Sequence, residues 1–474
     1  MVPTDTILLG LTLLAGFYMA WSIGANDVAN AMGTSVGSGA LTLRRAVLVA
    51  AVLEFSGAFF FGSHVSETLQ SGIIDAGVFS TNPILLVYGM LAALLATGAW
   101  LQLASYFGWP VSTTHAIVGG VAGFGAIVGG VEAIYWENVA FIVTSWIISP
   151  LFGGVLSFLI FTLLRRKILY TSNPIAQAKK FTPFFTFIVL TTLSLIMILK
   201  GLQNVSFEYS FFEALGISVM IGAIAALISH LLVQRMEENP ALSKNSQQSA
   251  EILSELSKAK EHLQHVQATS HGEVLFQVNT LLEEMEDVSR SARQTEDKHV
   301  IGSEYKRVEK IFGYLQIMSA CLMAFAHGAN DVANAIGPLS AALSVLKTGV
   351  IQPNPLVPTW ALALGGFGIV VGLATWGWRV IETIGKRITE LTPTRGFAAE
   401  FGAAATVLIA SRLGLPISTT HTLVGSVVGV GLARGIEALD LSMTRDIVIS
   451  WVVTVPISAI VTVFIYYTLL AIFG

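Results

Sequence analysis

Two aspartates stand inside long apolar stretches, each within an identical eight-residue sequence. The sequence GANDVANA occupies 24–31 and returns at 328–335, which places Asp27 and Asp331 at matching positions. An ionised carboxylate at the centre of a bilayer costs at least about 2.5–3.5 kcal/mol on insertion scales. No Lys or Arg lies at helical spacing in the same stretch as either aspartate. We therefore expect a mobile cation or a proton to balance these charges.

The residues around each aspartate favour a hard cation over a soft metal. Each copy supplies two asparagines, whose amide oxygens suit Na⁺, and small residues that let the backbone approach closely. Gly24 and Asn26 also favour a local break in helical hydrogen bonding, which a membrane tolerates only where backbone lines a cavity. The predicted ligands of the coupling cation, Na⁺ or H⁺, are Asn26, Asp27, Asn330 and Asp331. The alternative is that the asparagines only join helices by hydrogen bonds.

A second duplicated sequence favours an anion site. Pro-Val-Ser-Thr-Thr-His at 110–115 returns as Pro-Ile-Ser-Thr-Thr-His at 416–421. Proline ends the preceding segment, and a Ser or Thr that follows is a favourable N-cap for a new helix. Free amides and the positive helix end then face an anion, and hydroxyls add neutral donors. The predicted binders of a tetrahedral oxyanion are Ser112, Thr113, Thr114, Ser418, Thr419 and Thr420. The alternative is simple capping of a turn at the membrane surface.

Four further duplicated residues are candidates for supporting or gating roles. His115 and His421 follow the hydroxyl runs and could titrate or bind the substrate, although a structural role is equally open. Glu67 and Glu382 are also paired but lie near the ends of apolar segments, and Glu54 has an apolar counterpart. No GxxxxGK loop, nucleophilic triad or Cys and His cluster is present. We therefore expect no enzyme activity, and no cofactor beyond the coupling ion.

The elements that must position these residues are membrane helices. Hydrophobic residues make up 54% of the chain and charged residues 12%, against about 25% charged in soluble domains. We predict an all-α integral membrane protein with about twelve apolar segments, embedded in the lipid bilayer. Two pairs of segments, 83–108 with 111–131 and 396–411 with 414–433, fit re-entrant hairpins, although two full crossings fit as well. The predicted division is 1–164 as first repeat, 165–233 as connecting spans, 234–310 as a polar loop domain, and 311–474 as second repeat.

Basic residues in the short loops predict the orientation. Arg44, Arg45 and the run 165–167 mark cytoplasmic loops, whereas 66–82 and 131–138 carry no Lys or Arg. The second repeat then runs opposite to the first, both termini lie outside, and 234–310 is cytoplasmic, in the plasma membrane. Apolar residues at helical spacing predict helices in 234–310, with a disordered linker as the alternative. The net charge of −4 gives no sign of a nucleic-acid partner.

The paired GANDVANA and P-x-STTH sequences resemble those of the inorganic phosphate transporter (PiT) family. The resemblance implies two inverted repeats, phosphate held near their interface by hydroxyl and amide donors, and Asp and Asn residues that hold the coupling cations. Carried onto this chain, it adds Asn30 and Asn334 to the candidate site, where we assign them to phosphate. It also implies a homodimer and coupling to either Na⁺ or H⁺.

We therefore predict symport of inorganic phosphate with a cation by alternating access. Three alternatives stay open at this point. The chain could be a permease for sulfate or another oxyanion, as some members of the resembled family are. An anion channel is a second possibility, and a sensor that signals through 234–310 is a third.

Overall fold

The computed structural model describes residues 4–109, 111–201, 209–235, 240–271, 273–352, 355–381, 391–435 and 441–474. Within these ranges the structure is almost entirely helical, and a single isolated bridge joins Ile74 to Ile134. The prediction of an all-α protein is confirmed.

Fifteen α-helices of the described residues are numbered here in chain order. The first eight are α1 Thr4–Gly37, α2 Leu43–Phe61, α3 Ser63–Ser71, α4 Ile84–Phe107, α5 Thr113–Phe124, α6 Trp136–Leu164, α7 Pro174–Ile196 and α8 Phe211–Gln234. The remainder are α9 Pro240–Thr269, α10 Glu273–Asp331, α11 Ala333–Thr348, α12 Thr359–Thr375, α13 Pro393–Arg412, α14 Thr419–Arg434 and α15 Leu441–Phe473.

Seven helices of the described chain are long and apolar enough to cross a membrane, and the count reaches eight if α2 and α3 form one bent span. The chain is therefore a multi-pass membrane protein. α4 is one of these seven helices. α5 continues as a π-helical turn to Gly129, so the apolar helix Thr113–Gly129 has a length of about 25 Å at 1.5 Å per residue, against a hydrocarbon core of about 30 Å. The re-entrant hairpin of α4 and α5 stays a prediction.

The polar segment 234–310 forms helices where the structure describes it. α9 packs against the first part of α10, with Lys260 Nζ 2.5 Å from Glu286 Oε1 and Gln267 donating to Asn279 at 2.7 Å. Val278, one of the apolar residues at helical spacing, is buried. α10 then continues without interruption into the apolar segment that carries the second GANDVANA. The prediction of helices here is confirmed.

Both copies of GANDVANA lie on helices that make very close backbone contacts. α1 packs against α12 and α10 packs against α2. A Cβ added to Gly24 would lie 2.0 Å from the carbonyl oxygen of Ile369, and one added to Gly328 would lie 2.1 Å from that of Glu54. Small residues at helix contacts are the usual device for such approach in membranes. The glycine of each motif is therefore required by packing.

The predicted break of the helix at Gly24 and Asn26 is wrong. α1 runs through the first motif without interruption, because Gly24 serves the contact with α12. The second motif does contain a break, since α10 ends at Asp331 and α11 begins at Ala333. Pro338 within α11 has no amide, so the carbonyl of Asn334 loses its intrahelical donor.

Replacing Gly328 with Ala tests the close contact. The new methyl group meets the backbone of α2, which cannot rotate away, so we expect a loss of about 1–3 kcal/mol in stability. Thermal unfolding of the purified protein in detergent measures it as a lower midpoint. Gly313→Ala on the same helix is the control, because an added Cβ there meets nothing within 4 Å. Equal midpoints for the two variants would contradict the packing role.

Candidate functional site

Asp27 and Asp331 meet at one buried point where α1 and α10 approach each other. Each is only 1% exposed. One ligand atom of each, together with one of His327, lies within 4.8 Å of the others. The two copies of the motif thus contribute to a single site, and bringing two carboxylates this close in an apolar surrounding requires compensation.

Threonines from the two short helices reach the aspartates. Thr113 Oγ1 donates to Asp27 Oδ2, and Thr419 Oγ1 donates to Asp331 Oδ2 at 2.8 Å. Each hydrogen bond joins a GANDVANA aspartate to the Ser-Thr-Thr run of the same half of the chain. The two duplicated sequences therefore form one structural unit in each half.

The asparagine that precedes each aspartate donates its amide N–H to a serine and not to the aspartate. Asn26 Nδ2 donates to Ser105 Oγ at 3.0 Å, and Asn330 Nδ2 donates to Ser411 Oγ at 3.1 Å. Their oxygens are left without donors. The buried side-chain oxygens of the predicted site without a hydrogen-bond partner in the described chain are Asn26 Oδ1, Asn330 Oδ1, Asn334 Oδ1 and Asp331 Oδ1. A cluster of acceptors without donors fits a hard cation.

The second asparagine of each motif bonds to the opposite half. Asn30 Nδ2 donates to Thr420 Oγ1 at 2.8 Å, and Asn334 Nδ2 donates to Thr114 Oγ1 at 3.3 Å. Thr420 Oγ1 also lies 3.4 Å from Asp27 Oδ1. The two halves are therefore joined by reciprocal hydrogen bonds at the site.

The segments that precede α5 and α14 are joined in the same reciprocal way. Thr114 Oγ1 donates to the carbonyl oxygen of Ile417 at 2.9 Å, and Thr420 Oγ1 lies 3.4 Å from that of Val111. The starts of the two helices thus lie side by side at the centre of the protein.

Ser112 and Ser418 are the N-caps of α5 and α14. Ser112 Oγ accepts from the amide of His115 at 3.2 Å, and Ser418 Oγ accepts from that of His421 at 3.2 Å. The prediction that both duplicated sequences start helices is confirmed. The earlier amides of each first turn have no partner within their own helix. Two helix N-termini, each with a partial positive charge, therefore converge beside the two aspartates.

The four candidates for supporting or gating roles differ in position. The rings of His115 and His421 lie 4.2 Å apart, and they stack on Trp146 and Trp451 at 3.8 and 3.5 Å. They line a cavity behind the helix starts. Glu67 is exposed on α3, and no hydrogen bond of the described chain links its side chain to the aspartates. Glu382 lies outside the described residues.

His327 and Glu54 lie beside the aspartates, although His327 was not predicted and Glu54 was ranked lower because its counterpart is apolar. His327 Nε2 is 3.1 Å from Asp331 Oδ2, its Nδ1 is 3.3 Å from Glu54 Oε1, and both side chains are fully buried. A search for Lys and Arg alone misses this partner of Asp331. The spacing in the sequence could have indicated this contact, because His327 precedes Asp331 by four residues, which is about one helical turn. The position that matches His327 is Ile23 in the first half, and the position that matches Glu54 is Ile369 in the second half. Both are buried apolar residues.

Glu400 on α13 is a second buried carboxylate that the sequence did not single out. Ser35 and Ser319 donate to it at 2.7 and 2.8 Å, and Thr34 donates as well. Every side-chain donor that these bonds supply is a neutral hydroxyl. Thr34 and Ser35 lie in the last turn of α1, so this carboxylate is tied to the helix that carries Asp27.

The family model of the phosphate transporter family matches residues 23–462. The chain belongs to the phosphate transporter family. Inorganic phosphate transporter 2-1, chloroplastic, of Arabidopsis thaliana is 47% identical over 459 residues, which are 95% of this chain and 70% of that protein. A putative phosphate permease of Chlamydia pneumoniae is 44% identical over 466 residues, which are 97% of this chain and 98% of the permease.

A solved structure described as the sodium-dependent phosphate transporter is also similar to this chain. It has a TM-score of 0.80 and 36% identity, and the similarity covers 98% of this chain and 100% of that chain. The resemblance inferred from the duplicated sequences is confirmed. Since the phosphate transporter family consists of transporters, the prediction that the chain is not an enzyme is confirmed as well.

Within this member of the phosphate transporter family, the pair of Glu54 and His327 can be tested by replacing both residues with isoleucine, which stands at the two matching positions. Glu54→Ile leaves His327 Nδ1 without its partner, and His327→Ile removes the imidazole from both Glu54 and Asp331. We expect each single change to cost about 3–5 kcal/mol. The double variant reproduces the matching apolar pair, Ile23 with Ile369, and should be more stable than the sum of the single losses predicts. Thermal unfolding of the wild type, the two single variants and the double variant gives the coupling free energy between Glu54 and His327. Strictly additive losses of stability would contradict an interaction between the two side chains.

Proposed function

We propose that this chain transports inorganic phosphate across the membrane together with Na⁺. The observation that carries the proposal is the convergence of two helix N-termini and two buried carboxylates on one site. Helix N-termini bind anions, and carboxylates bind cations. A site that offers both is suited to binding an anion and a cation side by side. The similarity to a structure described as the sodium-dependent phosphate transporter supports phosphate and sodium as the pair.

Asp27 and Asp331 are the proposed cation ligands, with the oxygens of Asn26 and Asn330. Support comes from the amide oxygens that lack donors, because a bound cation satisfies such atoms. The two subsites are not equivalent. Asp331 has His327 as a partner, whereas the matching position beside Asp27 is Ile23, so Asp27 depends more strongly on the transported ion.

The starts of α5 and α14 are the proposed phosphate site. The free amides of their first turns and the hydroxyls of the two Ser-Thr-Thr runs supply neutral donors, which hold an oxyanion without a buried arginine. Asn30 and Asn334 add amide donors, which bond to Thr420 and Thr114 in this structure. The proposed binders are therefore Ser112, Thr113, Thr114, Ser418, Thr419, Thr420, Asn30 and Asn334.

The hydrogen bonds of Thr113 and Thr419 to the aspartates supply a route for coupling. With both carboxylates ionised and no cation, the site repels phosphate, and the two hydroxyls are held by the aspartates. A cation beside each aspartate neutralises the repulsion and competes for the carboxylate oxygens, which releases the hydroxyls toward phosphate. Each ligand then raises the affinity for the other by the same factor.

Alternating access completes the proposal. The two halves, 1–164 and 311–474, are proposed to run in opposite senses and to rock against each other around the shared site. The reciprocal bonds of Asn30 with Thr420 and of Asn334 with Thr114 join the halves, so they must rearrange when the site opens. We place the protein in the plasma membrane as a homodimer, with both termini outside and 234–310 in the cytoplasm.

Replacement of Asp27 with Asn tests the cation role. The neutral amide keeps the shape but removes the charge, so Na⁺-driven phosphate uptake into proteoliposomes should fall by about 5–150-fold, the range of an ordinary coupling free energy. Asp75→Asn is the control, since Asp75 caps a turn by accepting from Gly77 and Asn caps equally well. Unchanged gradient-driven uptake by the Asp27 variant would remove this residue from the mechanism. Na⁺ and pH gradients imposed separately distinguish Na⁺ from H⁺ as the driving ion.

Replacement of both Thr113 and Thr419 with Val tests the phosphate site. Hydrogen bonds to a charged partner contribute about 1.5–3 kcal/mol each, so the half-saturating phosphate concentration should rise at least about tenfold. Thr12→Val is the control, because the Thr12 hydroxyl is buried in α1 and, among the described residues, donates to the carbonyl oxygen of Leu8 in its own helix. If the double variant keeps the wild-type phosphate dependence, the anion binds elsewhere.

A further inference from the structure

A large apolar cavity lies behind the starts of α5 and α14. Its volume is about 720 Å³, within the range of roughly 300–1,000 Å³ typical of ligand sites. The stacked pairs His115 with Trp146 and His421 with Trp451 close one end. The remaining lining is almost wholly aliphatic or aromatic and comes from α6, α14 and α15, for example Val143, Leu151, Val155, Phe158 and Leu432.

The cavity opens sideways, between helices that are apolar enough to span the membrane. α6 and α15 both meet that test. At the opening, Ile147 is 60% exposed, Leu151 64% and Val452 71%. Exposed aliphatic side chains on a membrane-spanning helix contact hydrocarbon, so the opening faces the acyl chains of the bilayer.

Positive charge lies at one end of this cavity. α6 ends at Leu164 and is followed by Arg165, Arg166 and Lys167, of which the last two are exposed. Arg165 donates to the carbonyl oxygen of Ala433, near the end of α14. The bond brings the basic run next to Leu432, which lines the cavity. The apolar cavity therefore leads to a cluster of basic side chains at the membrane boundary.

We propose that this cavity binds an anionic phospholipid, with one acyl chain inside and the head group at the basic run 165–167. The aliphatic lining suits the chain, because filling it removes apolar surface from poorly packed space. The basic run suits a phosphate head group, since each Lys or Arg near an anionic membrane surface contributes measurably to lipid binding. A neutral lipid would fill the same cavity but would gain nothing from the basic end.

The position of the cavity gives the bound chain a structural consequence. His115 and His421 directly follow the threonines at the central site, and their rings form the deep wall of the cavity. An acyl chain that fills the space packs against both ring pairs and supports the two helix starts from behind. Lipid binding itself is independent of the proposed transport, so the two can fail separately.

Lipid retention measured by native mass spectrometry tests the proposal. The full-length protein is placed in bilayer discs of phosphatidylcholine with a minor share of phosphatidylglycerol, and the lipids that stay bound after release are identified. We expect phosphatidylglycerol to be retained in preference to phosphatidylcholine. Arg166→Ala and Lys167→Ala should each lower that preference about fivefold, and the double variant should lower it by about the product.

Two tryptophan variants of α6 test the cavity. Leu151→Trp places a large ring at the opening and should abolish retention of the phosphatidylglycerol molecule. Ile148→Trp is the matched control, because Ile148 is also exposed on α6, at 56%, but does not line the cavity. Both replaced side chains are exposed, so neither change should prevent folding.

Three results would overturn the proposal. The first is equal retention of the neutral and the anionic lipid, and the second is retention by Leu151→Trp that matches wild type. The third is a dimer without bound lipid that Leu151→Trp dissociates, which would show that a second copy of the chain covers the cavity.

Discussion

Two carboxylates that lie side by side in an apolar surrounding are the constraint on which the rest of this structure depends. Asp27 and Asp331 are buried, close together, and carried by two different halves of the chain. Charges of the same sign at this distance raise each other's energy, and the membrane offers no water to screen them. The neighbouring groups lower the energy of the buried carboxylates. The threonine hydroxyls donate hydrogen bonds to them, and two helix N-termini bring partial positive charge.

The two halves match at the centre of the site and differ around it. The contacts of Thr113 with Asp27 and of Thr419 with Asp331 are equivalent, as are the reciprocal bonds between the halves. The surroundings are not, because His327, which is backed by Glu54, lies 3.1 Å from Asp331 and forms no ion pair with Asp27 among the described residues. Under the proposed function, two equivalent carboxylates with unequal neighbours imply two cation subsites of unequal affinity, and so an order of loading.

The sequence alone predicts the membrane class of the fold, and the duplicated sequences predict the paired segments that form the candidate site. The apolar composition predicted a membrane protein, and the exact repeat of a charged sequence predicted paired functional segments. The Pro-x-Ser-Thr-Thr pattern predicted two helix starts with a Ser or Thr cap. Both readings depend on local chemistry, namely the cost of a buried charge and the preference of Ser for an N-cap. The helices of the polar segment were predictable for the same reason, from the spacing of apolar residues.

What the sequence did not supply depends on how distant segments pack. The continuity of α1 through Gly24 follows from the approach of α12, which no local pattern contains. The contact of His327 with Glu54 joins α10 to α2, and the bonds to Glu400 join α13 to α1 and α10. The hydrogen bonds of Asn30 and Asn334 to threonines of the opposite half likewise require the two helix starts to lie side by side. Pairing of this kind is a property of the folded arrangement.

Phosphate binding at stepped Na⁺ concentrations tests the central claim most directly. In the purified protein at equilibrium, a shared site predicts that the apparent Kd for phosphate falls as Na⁺ rises, and that phosphate strengthens Na⁺ binding by the same factor. The account predicts this reciprocity without any membrane gradient. A phosphate Kd that is independent of Na⁺, with both ligands still bound, would contradict a site in which the two aspartates and the two helix starts act together.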